Sequence, residues 1–309
     1  MIPYATAAAA AAAMGRPLTW AEAAWFRYSA ATPDYCLYLH NLLNLIVAYS
    51  LAPVPVALIE LCLPARLTSP YKLQPRVRLS PAAFLRCYRD TVWVLLLVTV
   101  GPLLFAPYPA VKIVGIRMGL PLPSAWEVAA QLVVYLLVED YLGYWFHRLL
   151  HTEWGYNKFH YIHHKYAAPV GFAAAHSHWI ELLILGFPAF VGPAMVPCHI
   201  TTFWFWFIVR GVEAIDTHSG FNFPFSPSRF IPFYGGAEFH DYHHYVGKQS
   251  QSNFAPVFTF CDYIYGTDKG YRYQKASLAK LKDVAKYNGE NGGTDAFFKH
   301  QETGLDREE

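Results

Sequence analysis

The chain has 309 residues, of which 54% are hydrophobic and 15% are charged, and its formal net charge at pH 7 is +2. Soluble domains carry about 25% charged residues, so this composition indicates a membrane protein. The near-neutral charge and the lack of basic runs between aromatic residues exclude a nucleic-acid-binding surface. The five cysteines are widely spaced and form no CxxC pair, which excludes a disulfide framework and a zinc knuckle.

The two ends of the chain differ from its middle. Residues 1–35 contain an alanine run at 7–13, which is of low complexity and predicts a partly disordered N-terminal segment. Residues 276–309 form a polar C-terminal tail, with a short solvated helix expected over 276–286 and disorder after it. The domain between them, residues 36–275, is expected to be embedded in the membrane.

Four hydrophobic regions, at 42–63, 92–111, 126–146 and 180–212, are long enough to matter for a bilayer, which needs about 20 apolar residues per crossing. The last region is too long for one crossing and is interrupted by Gly192, Pro193 and Pro197, so it predicts a hairpin of two helices over 180–196 and 200–215. The expected fold is therefore an all-α integral membrane helical bundle with about four to five transmembrane or re-entrant helices.

Lysine and arginine mark the cytoplasmic side of short loops. The loop between the first two regions carries six such residues, namely Arg66, Lys72, Arg76, Arg78, Arg86 and Arg89. Counting crossings from a cytosolic loop returns the segments around 147–164 and 240–244 to the same face. We therefore expect a cytosolic helical cap rich in histidine.

Three histidine clusters lie in those segments: an HxxxH box at 147–151 and two HxxHH boxes at 160–164 and 240–244. The eight histidines are His147, His151, His160, His163, His164, His240, His243 and His244. Offsets of three and four place side chains on one helix face, and imidazole binds transition metals at neutral pH. One ion takes three or four protein ligands in a zinc site, so eight imidazoles predict a dinuclear site. A ligand set that is almost entirely histidine favours oxygen redox chemistry, although it does not identify the metal.

Two further histidines flank the hairpin and are candidate ligands, His178 before it and His218 after it. His40, His199 and His300 are expected to play no part in the site. A metal-bound imidazole usually donates its other N–H to a carboxylate or carbonyl. The candidates for that outer role are Asp140, Asp216, Asp241 and Glu181.

Two functions of other classes are also compatible with these histidines. A metal transporter could use the histidines as a relay, but their clustering on one face rather than through the crossings counts against it. A zinc-dependent membrane hydrolase is the other, and no HExxH motif supports it.

The boxes, in this order around a hydrophobic hairpin, resemble those of the fatty acid hydroxylase and sterol desaturase superfamily of membrane di-iron oxygenases, from about Glu139 to Tyr273. Within this stretch, EDYLGYWFHRLLH, THSGFNFPFSP, GGAEFHDYHH and CDYIYGTDKGYR look like plant-type sterol C4-methyl oxidases, the methylsterol monooxygenases. Relatives often have His-Pro-x-Glu before the hairpin. In this chain Trp179 follows His178 in place of the proline, and Glu181 is retained.

The resemblance implies two iron ions bound by the eight box histidines and His218. It implies a sterol substrate taken from the bilayer, and electrons from NAD(P)H through cytochrome b5 and its reductase. No GxGxxG dinucleotide motif is present, which agrees with electrons arriving from a partner. The implied location is the endoplasmic reticulum membrane, with the boxes facing the cytosol and a sterol C4-decarboxylase/dehydrogenase complex as a further partner.

Within the superfamily, the alternatives are a sterol C5-desaturase, a fatty acid or sphingoid hydroxylase, and an aldehyde-processing wax enzyme. The histidine boxes do not separate these activities, because hydroxylation and desaturation begin with the same hydrogen abstraction.

Overall fold

The computed structural model describes residues 4–287, which form helices and connecting turns with three isolated bridge pairs and no strand. The helices are α1 (Ala7–Met14), α2 (Trp20–Ala30), α3 (Asp34–Leu51), α4 (Val54–Cys62), α5 (Ala65–Thr68), α6 (Pro81–Val100), α7 (Pro102–Phe105), α8 (Pro107–Val114), α9 (Ala125–Leu150), α10 (Glu153–Lys158), α11 (Trp179–Gly186), α12 (Pro188–Met195), α13 (Ile200–Thr217), α14 (Gly236–Val246), α15 (Phe260–Tyr265) and α16 (Lys269–Tyr287). Short 3-10 helices lie at His160–Lys165, Gly171–Ala175, Pro227–Arg229 and Gly247–Gln249. The prediction of a largely helical protein is confirmed.

The N-terminal alanine run differs from its prediction, because it forms helix α1. Alanine has the highest helix propensity, and both helix ends are capped. The Thr6 hydroxyl accepts a hydrogen bond from the Ala9 amide, and Gly15 ends the helix in the left-handed conformation. At the other end, α16 extends beyond the predicted 276–286 in the N-terminal direction. The expected disordered tail lies outside the described residues.

One apolar helical element within residues 4–287, Asp34–Cys62, which comprises α3 and α4, is long and hydrophobic enough to cross a bilayer. Only 22% of its most apolar window is buried, so it is not an ordinary core helix. The pair Pro81–Val100 and Pro102–Val114, bent by 41°, counts as a second such element if it is one broken span. Helix α9 has 26 residues but includes the buried acids Glu139 and Asp140. By length and composition, the described residues therefore support fewer spans than the sequence predicts.

Several helices of residues 4–287 also expose apolar side chains at helical spacing. Large hydrophobic residues are exposed on α3, α6, α9 and α13, namely Leu43, Val47, Leu51, Trp93, Leu97, Val100, Val133, Leu137, Phe205, Ile208 and Val212. Apolar surface that runs along several helices marks an interaction with a membrane or another protein.

The predicted hairpin contains three helices. Helices α11 and α12 replace the expected single outward helix, and they meet at Phe187 and Pro188, where proline occupies the first turn of α12. Helix α13 returns beside α3, and α12 packs on α9. Gly192 permits the second contact, because a Cβ there would lie 2.8 Å from the Tyr135 Cα. The main core lies here, around Trp206, Phe203 and Tyr135.

The loop between α5 and α6 packs against the histidine-bearing half of the molecule. The Leu73 amide donates to the Gly220 carbonyl at 2.9 Å. The Gln74 side-chain amide donates to the Ala167 carbonyl and to the carboxylate of Asp241 on α14. This lysine- and arginine-containing loop therefore lies on the same side of the fold as the boxes.

Candidate metal centre

Four separate chain segments carry the histidines to one place. His147 lies in the last turn of α9, and His151 is the residue that ends this helix. The second box forms a 3-10 helix, His160–Lys165. His218 ends α13, and the third box lies on α14. The prediction that the topology brings all three boxes together is confirmed.

The imidazoles form two groups, which we call group A and group B. Within each group, one potential ligand atom from every residue lies within 4.8 Å of all the others. Group A contains His147, His151, His160, His164 and His243, and group B contains His163, His218, His240 and His244. His218, which its position near the boxes indicated as a candidate, thus lies with the box residues. The groups are adjacent, since the rings of His164 and His244 stack with centroids 4.6 Å apart.

The two HxxHH boxes each divide between the groups. Their first and last histidines, four residues apart, remain together: His160 and His164 in group A, His240 and His244 in group B. The histidine between them goes to the other group. The expectation that offsets of three and four share one face therefore holds for the i, i+4 pairs and not for the i, i+3 pairs. Successive residues on a helix point in different directions, so adjacent histidines diverge.

The nitrogen geometry of group A fits a bound metal ion. Nδ1–H of His147 donates to the Phe254 carbonyl at 2.8 Å, and Nδ1–H of His160 donates to Glu181 at 2.9 Å. A neutral imidazole has one N–H, so both Nε2 atoms carry lone pairs. These two Nε2 atoms nevertheless lie only 3.2 Å apart. Metal–nitrogen bonds of about 2.1 Å at right angles would place two ligands about 3.0 Å apart, which fits this separation.

Group B repeats this geometry. Nδ1–H of His163 donates to the His176 carbonyl at 3.3 Å, and Nδ1–H of His218 donates to the Ala214 carbonyl at 2.7 Å. The Nε2 atoms of these two rings therefore face each other with lone pairs at 3.2 Å. His240 Nε2 lies 2.9 Å from His218 Nε2. The residues of both groups fit metal ions, with outer hydrogen bonds of the kind that orients bound imidazoles.

Burial keeps these imidazoles neutral, as metal binding requires. Burial, together with the neighbouring imidazoles of His147 and His218, lowers the pKa of His164 to about 3. Burial and the surrounding histidines also hold the pKa values of His163 and His244 well below the usual range. The site therefore offers lone pairs, not cations, at neutral pH.

The four predicted outer carboxylates have different positions. Glu181 contacts an imidazole directly, through His160. Asp216 instead accepts a hydrogen bond from the Tyr234 hydroxyl, and Asp241 accepts one from the Gln74 side-chain amide. Each carboxylate therefore hydrogen-bonds to a residue other than the nearby histidine. Asp140 accepts from the backbone amides of Val257 and Phe258. Of the four, only Glu181 has the direct contact that the sequence analysis expected.

Asp140 and Asp262 support the site indirectly, because both hold the backbone of the segment 254–258. The segment 254–258 supplies the Phe254 carbonyl that orients His147. Asp262 accepts from the amides of Phe254 and Ala255, while Asp140 holds the next two amides. Sequence reasoning missed Asp262, and the signal for it was its place in the CDYIYGTDKGYR segment.

His178 lies outside both groups. Its Nδ1 accepts a hydrogen bond from the Ile180 amide and caps α11, and its ring stacks on Trp179. Of the histidines set aside from the sequence, His40 contacts Tyr28 and His199 contacts the Gly119 carbonyl. His300 lies outside the described residues.

A largely apolar cavity opens onto both groups. Its wall includes His147 from group A and His163, His218 and His240 from group B. Away from the histidines it is lined by aliphatic and aromatic residues such as Leu95, Val98, Leu182, Leu185, Phe190 and Phe207. A cavity of this composition suits an apolar ligand whose reacting carbon faces the histidines.

A buried ion cluster also lines this cavity. Arg210 on α13 pairs with Glu139 on α9 and with Glu213 one turn further along α13. All three side chains are at most 12% exposed. Buried charges are tolerated when they are paired. The pairing with Arg210 therefore explains how Glu139 and Glu213 are accommodated in apolar helices.

The helical fold, the two polyhistidine groups and the apolar cavity together define a helical protein with a candidate metal centre at the end of an apolar cavity. The fatty acid hydroxylase family model matches residues 132–267, a range that includes every grouped histidine. The chain belongs to the fatty acid hydroxylase family.

Relatives match nearly the whole chain. It is 62% identical to a protein of Oryza sativa subsp. japonica named very-long-chain aldehyde decarbonylase GL1-10, over 96% of this chain and 98% of the relative. It is 55% identical to methylsterol monooxygenase 1-2 and to methylsterol monooxygenase 1-1 of Arabidopsis thaliana, in both cases over 95% of this chain and 99% of the relative. No solved structure matches.

Proposed function

We propose that this protein is a methylsterol monooxygenase, which inserts oxygen into the methyl group at C4 of a sterol. The observation that carries the proposal is the apolar cavity that opens onto both histidine groups. The Arabidopsis relatives at 55% identity carry the methylsterol monooxygenase name, and the cavity suits a rigid hydrocarbon that enters from a bilayer. Each turnover uses O2, two electrons and two protons, and yields a hydroxymethyl group and water.

Two iron ions are the proposed metals, one in group A and one in group B. The nine grouped histidines are the proposed ligands, and His178 is left out because it caps α11. Iron bound there would supply the oxygen activation. The chain itself orients the imidazoles through Glu181 and the backbone carbonyls, positions the substrate methyl group at the histidine end of the cavity, and keeps water away from it.

The cofactor and partner assignments extend the proposal. Electrons come from NAD(P)H through cytochrome b5 and its reductase, with no nicotinamide bound by this chain. Repeated turnovers would convert the methyl group to an alcohol, an aldehyde and a carboxylate. A sterol C4-decarboxylase/dehydrogenase would then remove the carboxylate, either alone or in a complex with this protein.

We further propose a multi-pass location in the endoplasmic reticulum membrane, within an oxygenase domain spanning residues 36–275. The exposed apolar stripes on α3, α6, α9 and α13 would face lipid, with α11 and α12 completing about four to five transmembrane or re-entrant elements. The basic loop between α5 and α6 packs beside the boxes, which supports a cytosolic histidine cap.

Complementation tests the proposed activity. The chain should restore growth and remove accumulated 4-methylsterols in cells that lack their own sterol C4-methyl oxidase. A matched variant, His164→Ala, should enter the membrane at the same level and leave the 4-methylsterols in place. Rescue of a sterol C5-desaturase-deficient strain, with none of the C4-oxidase strain, would overturn the assignment.

The name of the rice relative favours one second candidate, the conversion of very-long-chain aldehydes. The same cells should be supplied with a long-chain aldehyde and analysed for the hydrocarbon one carbon shorter. Hydrocarbon formation without any change in sterols would favour this candidate.

A further inference from the structure

Among the buried polar atoms without a hydrogen-bond partner within residues 4–287, two belong to cavity-lining residues that lie outside the Arg210 ion cluster. They are the Ser177 hydroxyl oxygen Oγ and the Glu181 oxygen Oε2. Ser177 is only 5% exposed and Glu181 only 1% exposed, so bulk water does not replace the missing partners. Leaving a buried polar group unpaired is costly, and native structures contain few of them. The two atoms are therefore available to a polar group of a ligand in the cavity.

Each of the two residues is linked to one of the histidine groups. Glu181 uses its other oxygen, Oε1, to accept the hydrogen bond from His160 of group A. Ser177 directly follows His176, whose carbonyl accepts the hydrogen bond from His163 of group B. A ligand group that contacts both atoms would thus be held close to both proposed metal sites.

We propose that Ser177 and Glu181 bind the hydroxyl group of a 3-hydroxysterol substrate. Glu181 Oε2 accepts the hydrogen bond from the substrate hydroxyl, and the Ser177 hydroxyl donates to the substrate oxygen. This assignment rests on the proposed function. C3 is bonded to C4 in a sterol, so the hydroxyl oxygen lies next to the reacting methyl group and must enter the histidine end of the cavity with it.

Five other polar side chains of the cavity take part in hydrogen bonds or ion pairs. The Thr99 hydroxyl donates to the Leu96 carbonyl, and the Thr217 hydroxyl donates to the Ala214 carbonyl. Glu139 and Glu213 are ion-paired with Arg210. Glu139 also precedes His147 by eight residues, which is about 12 Å along α9. Ser177 and Glu181 are therefore the pair best placed to recognise a hydroxyl beside the reacting carbon.

The test compares Ser177→Ala with Thr202→Val, which removes a buried, unpartnered hydroxyl on α13 outside the cavity lining. Purified iron-loaded enzyme is assayed with a 4-methyl-3-hydroxysterol and with the corresponding 3-deoxysterol. For Ser177→Ala we expect kcat/KM to fall about tenfold with the hydroxysterol and to change less than twofold with the 3-deoxysterol. Thr202→Val should change neither value by more than twofold. Iron content should remain at the wild-type level in both.

A stability measurement separates recognition from a structural role. Because the Ser177 hydroxyl has no partner in the substrate-free protein, Ser177→Ala should not lower its melting temperature. Ser177→Cys, which keeps a similar shape but has a weak donor, should show the same selective loss. Equal losses on the two sterols in both Ser177 variants would overturn the recognition role. Failure of the wild-type enzyme to oxidise either sterol would instead overturn the proposed function, and this assignment with it.

Discussion

His160 and Glu181 form a buried pair in which the imidazole Nδ1 lies 2.9 Å from the carboxylate Oε1. The carboxylate fixes the tautomer that leaves the His160 Nε2 lone pair directed into group A. Both side chains are at most 1% exposed, so water does not substitute for either partner.

Removing the carboxylate should weaken metal binding without removing a ligand. We expect Glu181→Ala to lower the iron affinity of group A by about 10–100-fold, which is the usual effect of losing an outer hydrogen bond to a ligating histidine. Titration of the metal-free protein with Fe(II) measures this. Glu181→Gln is the control, since its amide oxygen still accepts from His160, and it should retain more affinity than Glu181→Ala.

Metal content should report two separate sites. We expect two iron ions per wild-type chain, and about one in either His151→Ala or His218→Ala, because each change removes a ligand from a different group. The double variant should lose both ions. His178→Ala should retain both, because His178 contacts neither group; a loss of iron in this variant would return His178 to the ligand set.

Asp262 should matter for stability as well as for the metal. Asp262→Ala leaves the buried amides of Phe254 and Ala255 without acceptors. The cost is about 1–3 kcal/mol for each unpaired group. We expect a lower melting temperature and weaker iron binding, because the Phe254 carbonyl no longer holds His147 in position. Asp283→Ala, on the polar helix α16, is the matched control and should change neither measurement.

The stability that the Arg16–Glu22 pair contributes at the start of helix α2 should depend on pH. The Arg16 guanidinium, hydrogen-bonded to Glu22, holds the pKa of this carboxyl at about 2, below its ordinary value of 4.5. A lowered pKa means that the stabilisation is complete above pH 4.5 and is lost as the pH falls towards 2. Glu22→Gln should therefore be less stable than the wild type at pH 6, with the difference shrinking below pH 4.5. Denaturant unfolding in detergent at several pH values measures it, and a pH-independent difference would contradict the explanation.

The sequence predicts the helical fold, the three boxes and their meeting on one side, because these depend on local spacing and hydrophobic periodicity. It does not predict how the boxes divide. That division depends on the rotation of α14 and on the 3-10 conformation of His160–Lys165, both of which are set by tertiary packing. Asp262 was not predicted for the same reason, since its partners are backbone amides whose positions no side-chain pattern reveals.

The sequence predicts more membrane-crossing helices than the length and composition of the described helices support. The 126–146 region is hydrophobic in sequence, but in α9 its acids Glu139 and Asp140 turn inward, to Arg210 and to the 257–258 backbone. The 180–212 region breaks at Pro188, where a proline can begin a new helix but not continue the old one. Composition alone does not distinguish a lipid-facing helix from one that also builds a site.

The division of the boxes has a consequence for biosynthesis. Group A is completed by His243 and group B by His244, which are neighbours in the chain, while the first ligand, His147, lies nearly a hundred residues earlier. No nascent chain that ends before α14 holds a full set of ligands for either ion. If each group holds one of the two proposed ions, a chain truncated before α14 would lack part of both centres, so completion of the site would follow synthesis of the apolar helices.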